Sequence, residues 1–281
     1  VANNDQRAVA ALTASIAEAY SAFPQVEAVV LGGSQTSGFA DPSSDLDLYV
    51  YVQQPLTLAE RARVPADRAS YAEVGNDVWE PGDEWRERDS QRKIDVMFRE
   101  VPWIEAQLDR VLQQQQASVG YTTCIWHNVR SSQPIYDRTG WFSALQEKAR
   151  QPYPEALRQA IVAKNHPILR QTLSSYRQQV ERAIQRNDLV SVQHRVAALL
   201  ASYFDILFAI NRLPHPGEKR LITIAVQQCQ NRPDAMTEQV HALIRTLSIN
   251  DEAVLARIDE LVDGLDRVLA AEGLIPAPTT R

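Results

Sequence analysis

The chain has 281 residues, 44% hydrophobic and 23% charged, with a net charge of −6; that is long for one α/β unit and enough for two modest domains with real cores. The acidity argues against a general DNA or phosphate-backbone binder, which needs a basic face. Cys124 and Cys229 are far apart and fit no metal spacing, so they read as free buried thiols; no apolar run approaches bilayer length and the opening VANNDQRAVA has no signal-peptide pattern, so a cytoplasmic location is expected.

In chain order, Asp5 to about Tyr20 carries Val9, Leu12 and Ile16 at helical spacing, which predicts a helix. After Pro24, VEAVVLGGS is a β-branched run ending in two glycines, a strand entering a tight turn. DLDLYVYV alternates strictly: Leu46, Leu48, Val50 and Val52 share one strand face, and Asp45, Asp47, Tyr49 and Tyr51 share the other. Thr57 to Ser70 reads as helical, and Trp79 to Arg88 as an acidic stretch of little periodicity. RKIDVMFRE alternates again, with Ile94, Val96 and Phe98 opposite Asp95 and Met97.

Beyond about Gln151 the pattern turns helical, with four or five segments. One runs from Asp188, an N-cap, to Asn211, and another from about Asp251 to Ala271, with Gly273 as its C-cap. Pro167 is expected to interrupt or kink the segment before them. The fold class is therefore α+β: a mixed sheet with flanking helices over residues 1–145, then an all-α helical bundle over residues 146–281. The tail PAPTTR is expected to fray.

The chemistry concentrates in Gly32-Gly33-Ser34, ten intervening residues, and Asp45-Leu46-Asp47. Carboxylates at i and i+2 of a strand project from one face and repel unless a cation separates them. Such hard oxygen ligands suit Mg²⁺, which completes its shell with waters and substrate phosphates. The glycines let backbone amides approach a phosphate, the Ser34 hydroxyl adds a donor, and a helix starting near Thr36 would add favourable partial charge. A two-metal site needs a third acid, and Asp95 is the best placed, ahead of Glu80, Asp83 and Glu84. Asp95 is also a candidate general base.

The run GGSQTSGFADPSSDLDLYV, followed by Asp95 in KIDVMF, resembles the DNA polymerase β-type nucleotidyltransferase superfamily over residues 26–99. The resemblance puts Gly33 and Ser34 on the phosphate-binding turn and Asp45, Asp47 and Asp95 in the carboxylate triad, with Gly38 and Ser44 at positions where small residues occur. The helical half is similar in layout to the antibiotic-type bacterial nucleotidyltransferases. This implies a transferase that uses two Mg²⁺ ions to move NMP from an NTP, with ATP as the first choice, onto an acceptor hydroxyl, releasing pyrophosphate. The expected acceptor is a small aminoglycoside- or lincosamide-like molecule. Nucleotidylation of an RNA or a protein is the alternative, and a catalytically inactive nucleotide-binding module the third. On the same analogy Lys219 and Arg220 would touch the triphosphate.

Surrounding residues have plainer readings. Lys219 and Arg220 serve equally well as surface charge at a helix start, and Lys93 reads as an ordinary strand cation beside Asp95, with balancing the acidic site as its alternative. His166 reads as packing or capping, and His194 and Arg195 as a solvated helix face. Trp79, Trp85 and Trp103 read as core aromatics before stacking platforms, and Tyr49 and Tyr51 as the floor under the carboxylates. An RNA acceptor would call for a basic strip such as Arg170, Arg177 and Arg182.

Overall fold

A computed structural model of the chain describes residues 2–37, 44–78, 80–247 and 253–276. Gly38, Trp79, Asp251 and residues 277–281 of the tail lie outside the described residues, as does the side chain of Ser34. The chain divides into two compact units: residues 1–109 with 128–151, and residues 110–127 with 152–281. Where the sequence reading placed a single cut at 145/146, the division is discontinuous, because residues 110–127 pack with the helical part.

The first unit holds α1 (Ala2–Ser21), β1 (Val26–Leu31), α2 (Ser34–Ser37), β2 (Leu46–Val52), α3 (Leu58–Ala62), β3 (Ala69–Asn76), β4 (Gly82–Glu87) and β5 (Lys93–Glu100). Then come α4 (Val101–Leu112) and α5 (Cys124–Ser131), each crossing a unit boundary, followed by β6 (Gln133–Asp137) and α6 (Trp141–Ala149). Six strands form one sheet in the order β3-β4-β5-β2-β1-β6. The β2–β5 pair is parallel and the others antiparallel.

The alternation in DLDLYVYV and KIDVMF decides which side becomes the core. Leu46, Leu48, Val50, Ile94 and Val96 are buried with Val29, Ile16 and Tyr20, so the apolar side chains of the central strands pack with the inner stripe of α1. Each such aliphatic side chain is worth about 1.5–3 kcal/mol when fully buried. The opposite face carries the acids at one end. At the other, Tyr51 stacks on Phe142 at 5.2 Å and meets Trp141 edge-on at 5.4 Å, both from α6.

Several elements differ from the sequence reading. The helix expected over 57–70 stops at Ala62: Thr57 and Glu60 form a reciprocal capping box at its start, and Pro65 disfavours helical backbone at Val64. The chain is already in β3 by Ala69. The acidic stretch before Arg88 contains strand β4. Its inward Asp83 is fully buried and tolerated because Arg61 grips it, Nη2 to Oδ1 at 2.6 Å and Nε to Oδ1 at 3.1 Å, while the guanidinium lies 4.4 Å over the Phe98 ring. Strand β6 was not anticipated either.

The second unit contains α7 (Glu155–Arg170), α8 (Tyr176–Gln185), α9 (Leu189–Ile210), α10 (Leu221–Gln228), α11 (Met236–Thr246) and α12 (Ala253–Ala271). Pro167 does not break α7, which runs on to Arg170. A proline three residues from the end forfeits one backbone bond, and buried Ile161, His166 and Leu169 hold the turn around it. Asp188 caps α9 by accepting from Ser191 N at 3.0 Å. Gly273, at φ +68°, ends α12, with Leu274 N donating to Leu269 O. Buried Asp205 on α9 accepts from Thr122 N at 3.0 Å and Thr122 Oγ1 at 2.6 Å, and Asn165 Nδ2 lies 3.4 Å away. Burial pushes the Asp205 carboxyl up to about 6, only partly offset by the Thr122 bonds. Both cysteines are free thiols, Cys229 buried and Cys124 only partly so, and burial pushes each up to about 12.

Candidate active site

The carboxylates assemble through strand register. Asp47 on β2 sits beside Asp95 on β5, Asp95 is opposite Glu84 on β4, and Glu84 is opposite Glu73 on β3. Paired residues on neighbouring strands point to the same face, so four acids form a row across four strands. At the Asp47 end the row meets the glycine turn, where Gly32 N donates to Asp47 O at 2.9 Å. Asp45 precedes β2, and its Oδ2 lies 3.8 Å from Lys93 Nζ.

The turn is shaped around Asp47. Gly33 adopts φ +63°, and a Cβ there would collide with the Asp47 carboxylate, its Cγ only 2.6 Å away. A Cβ on Gly32 would strike the Tyr49 ring. Both positions therefore demand glycine, and the backbone at Gly33 lies open against an acid. The helix after the turn is a single turn, Ser34–Ser37, so the helix end anticipated near Thr36 reduces to a few amides.

Lys93 is the cation of the row. Its Nζ donates to Asp95 Oδ2 at 3.1 Å and lies 3.0 Å from both Asp95 Oδ1 and Glu84 Oε2. Burial works against its charge, but the bonds to Asp95 and Glu84 outweigh it and hold the ammonium firmly protonated. Asp95 is pushed above the usual carboxylate range, chiefly by burial and further by Glu84 and Asp45, with Lys93 opposing. Its Oδ1, though near the ammonium, is buried and has no hydrogen-bond partner.

Beneath the acids, Tyr49 and Tyr51 are buried, in keeping with a floor. Arg99 stacks 4.1 Å over the Tyr49 ring, takes Glu80 in a two-pronged pair at 2.9 Å for each bond, and donates to Asn128 Oδ1 at 2.8 Å. Of the three alternative acids, Glu80 is thus engaged by Arg99, Asp83 faces the opposite side with Arg61, and Glu84 alone joins the row. The sequence reading does not reach Glu73 or Arg99 and leaves Glu84 as one of three unranked alternatives to Asp95. The available signal was Glu84 next to Trp85: on a strand the two must face opposite ways, and Trp85 is buried in the core.

Lys219 and Arg220 are exposed where α10 begins, with Arg220 in the left-handed region at φ +57°. His166 is buried, its Nε2 2.6 Å from Asp266 Oδ1, and acts in packing. His194 and Arg195 are exposed. The basic strip considered for RNA is neutralised in part: Arg170 pairs with Asp263 and Asp266, and Arg177 with Asp259. Trp103 is exposed, with Arg99 5.8 Å from its ring.

Among the described residues no three His, Cys, Asp or Glu side chains form a ready-made metal-holding group. The donors nevertheless fit a hard divalent ion: all are carboxylate oxygens, and a cation already stands among them, the Lys93 ammonium 3.0 Å from Asp95 Oδ1 and Glu84 Oε2. Among the same residues no helix is long and apolar enough to cross a membrane.

Residues 14–104 match the nucleotidyltransferase domain family, and residues 124–221 match a domain family of unknown function, DUF4037. No curated protein sequence matches the chain. Among solved structures, a nucleotidyltransferase-like protein from Exiguobacterium sibiricum aligns at TM-score 0.44 and 15% identity, over 95% of this chain and 76% of its own. The spectinomycin adenyltransferase of Enterococcus faecialis, solved with ATP and spectinomycin, aligns at TM-score 0.25 and 12% identity, over 86% of this chain and 92% of its own.

Proposed function

We propose that this chain, a nucleotidyltransferase by the domain at residues 14–104, is Mg²⁺-dependent and moves NMP from an NTP, ATP first, onto a hydroxyl of a small cationic acceptor. The observation that carries the reading is the register of Asp47 with Asp95 beside the glycine turn. Asp45, Asp47 and Asp95 are assigned to the metal, and the amides at Gly33 and Ser34 to the polyphosphate. Bound Mg²⁺ would neutralise charge on the phosphates and on the departing pyrophosphate. The chain's own part is to fix that assembly: the turn holds the triphosphate against β2, so the α-phosphorus faces an acceptor hydroxyl. Attack forms the new P–O bond, the bond to pyrophosphate breaks, and the hydroxyl proton passes to a carboxylate of the row.

Acceptor class is supported by charge. Glu84 and Glu73 extend the acid row beyond the three assigned ligands, and an anionic surface draws a cationic small molecule such as an aminoglycoside-like amine. An RNA acceptor has less support, since Arg170 and Arg177 are paired with acids. Lys219 and Arg220 are proposed contributors to triphosphate binding on charge alone.

The test is pyrophosphate release from each NTP with cationic small molecules, RNA and protein as acceptors, alongside Mg²⁺-dependent NTP binding. Hydroxyl-bearing cationic small molecules should support turnover, and the Asp45→Asn, Asp47→Asn double variant should lose metal-dependent binding. Binding that survives in that variant overturns the assignment.

A further inference from the structure

Lys93 has an odd place for a surface lysine. It lies two residues before Asp95 on the same strand face, and its ammonium is held among Asp95 and Glu84 at 3.0 Å and Asp45 at 3.8 Å. Three carboxylates on one ammonium leave an excess of two negative charges, so the locus is still attractive to a cation. Two of those acids, Asp45 and Asp95, are assigned to metal above. The ammonium therefore stands where a competing cation must come, and the same row contains no ready-made metal-holding group among the described residues.

We propose that Lys93 is a tethered counter-cation: it holds the acid row together before the metal arrives, competes with the divalent ion for Asp45 and Asp95, and withdraws as that ion binds. The inference rests on the metal-dependent reading of the site. Its physics is ordinary. Without a cation the carboxylates repel one another across neighbouring strands. A lysine suits the task because its charge sits on a flexible four-carbon stem that can swing aside, whereas the rigid fork of arginine would hold on. A site filled part of the time by its own lysine binds an outside ion with an apparent affinity lowered by that occupancy. Lys93 is thus a positioning residue that sets metal affinity, not a group that touches the reacting atoms.

Mn²⁺ binding to the full chain, without nucleotide, provides the test by calorimetry. Lys93→Met should bind Mn²⁺ roughly tenfold more tightly than the parent, the order expected when one positive charge is removed beside a divalent ion. Without metal, the same variant should melt at lower temperature. Lys93→Arg should bind no more tightly than the parent. Unchanged or weaker Mn²⁺ affinity in a folded Lys93→Met overturns the proposal, as does tighter binding in Lys93→Arg. Should Lys93→Met fail to fold, the parent protein serves: labelling of Lys93 by an amine-acylating reagent, read by mass spectrometry, should speed up when Mn²⁺ is added, and an unchanged or slower rate overturns the idea. The two readings fail separately. Mn²⁺ binding that is indifferent to Asp45→Asn, Asp47→Asn refutes the metal assignment, while binding that needs those acids but ignores Lys93 refutes only this inference.

Discussion

Replacing Gly33 with alanine tests whether the glycine turn is built around Asp47. Gly33 sits at φ +63°, where an L-residue costs roughly 1–2 kcal/mol in backbone strain. Gly140, at φ +79°, carries the same kind of strain but has no heavy atom within 4 Å of an added Cβ. Both glycines lie in the sheet-bearing unit, so Gly140→Ala supplies the strain alone. Either variant should lower the melting temperature by roughly 3–10 °C for a unit of this size. Only Gly33→Ala also pushes a methyl group into the Asp47 carboxylate, and that acid must then shift or the turn must move away from it. A displacement of about 1 Å in a reacting assembly costs about 10²-fold in rate. The assay is kcat/KM for NMP transfer, with differential scanning calorimetry on the same samples. Gly140→Ala should keep its rate and Gly33→Ala should lose about two orders of magnitude. Equal rates in the two variants would refute the claim that the turn and Asp47 form one site.

Other consequences follow from charged groups elsewhere in the fold, two of them buried. Asp205 has a folded pKa of about 6 against about 3.9 when unfolded; a raised carboxyl stabilises fully below the unfolded value, and that contribution fades as pH rises through the folded one. From pH 4 to pH 7 the parent should therefore lose about 2 kcal/mol relative to Asp205→Asn in chemical denaturation, and parallel profiles would contradict this. Arg61→Leu strands the Asp83 carboxylate on the core face and should cost about 3–5 kcal/mol in the same assay, with much of it restored by Arg61→Leu, Asp83→Leu. Lys219→Ala with Arg220→Ala should raise the NTP KM roughly tenfold if these cations meet the triphosphate, the scale of one charge-assisted hydrogen bond. An unchanged KM returns them to surface charge.

What the sequence disclosed and what it hid have one physical cause. Strands β2 and β5 alternate aliphatic side chains on the core face with acidic, aromatic and basic ones on the other, and that alternation alone put Asp47 and Asp95 on the face away from the core. Their adjacency is a different kind of fact. It depends on β2 and β5 pairing in parallel with Leu46 beside Ile94, a choice no local pattern states. The edge strands were harder still. No residue of β3 is buried, so the strand shows no apolar stripe, and β4 turns a charged Asp83 inward against Arg61. An inward acid erases the hydrophobic alternation by which a strand is recognised, and its compensation comes from a residue 22 positions away in sequence. That substitution of an ion pair for an aliphatic contact explains why the acidic stretch before Arg88 read as irregular. It also hid Glu84, because a residue cannot be assigned to a face until its strand is known. The local pattern thus yielded the acids on the two central strands, and pairing added Glu84, Glu73 and the position of Lys93 among them. A site assembled across strands is legible one strand at a time only where each strand has a dry face to mark its wet one.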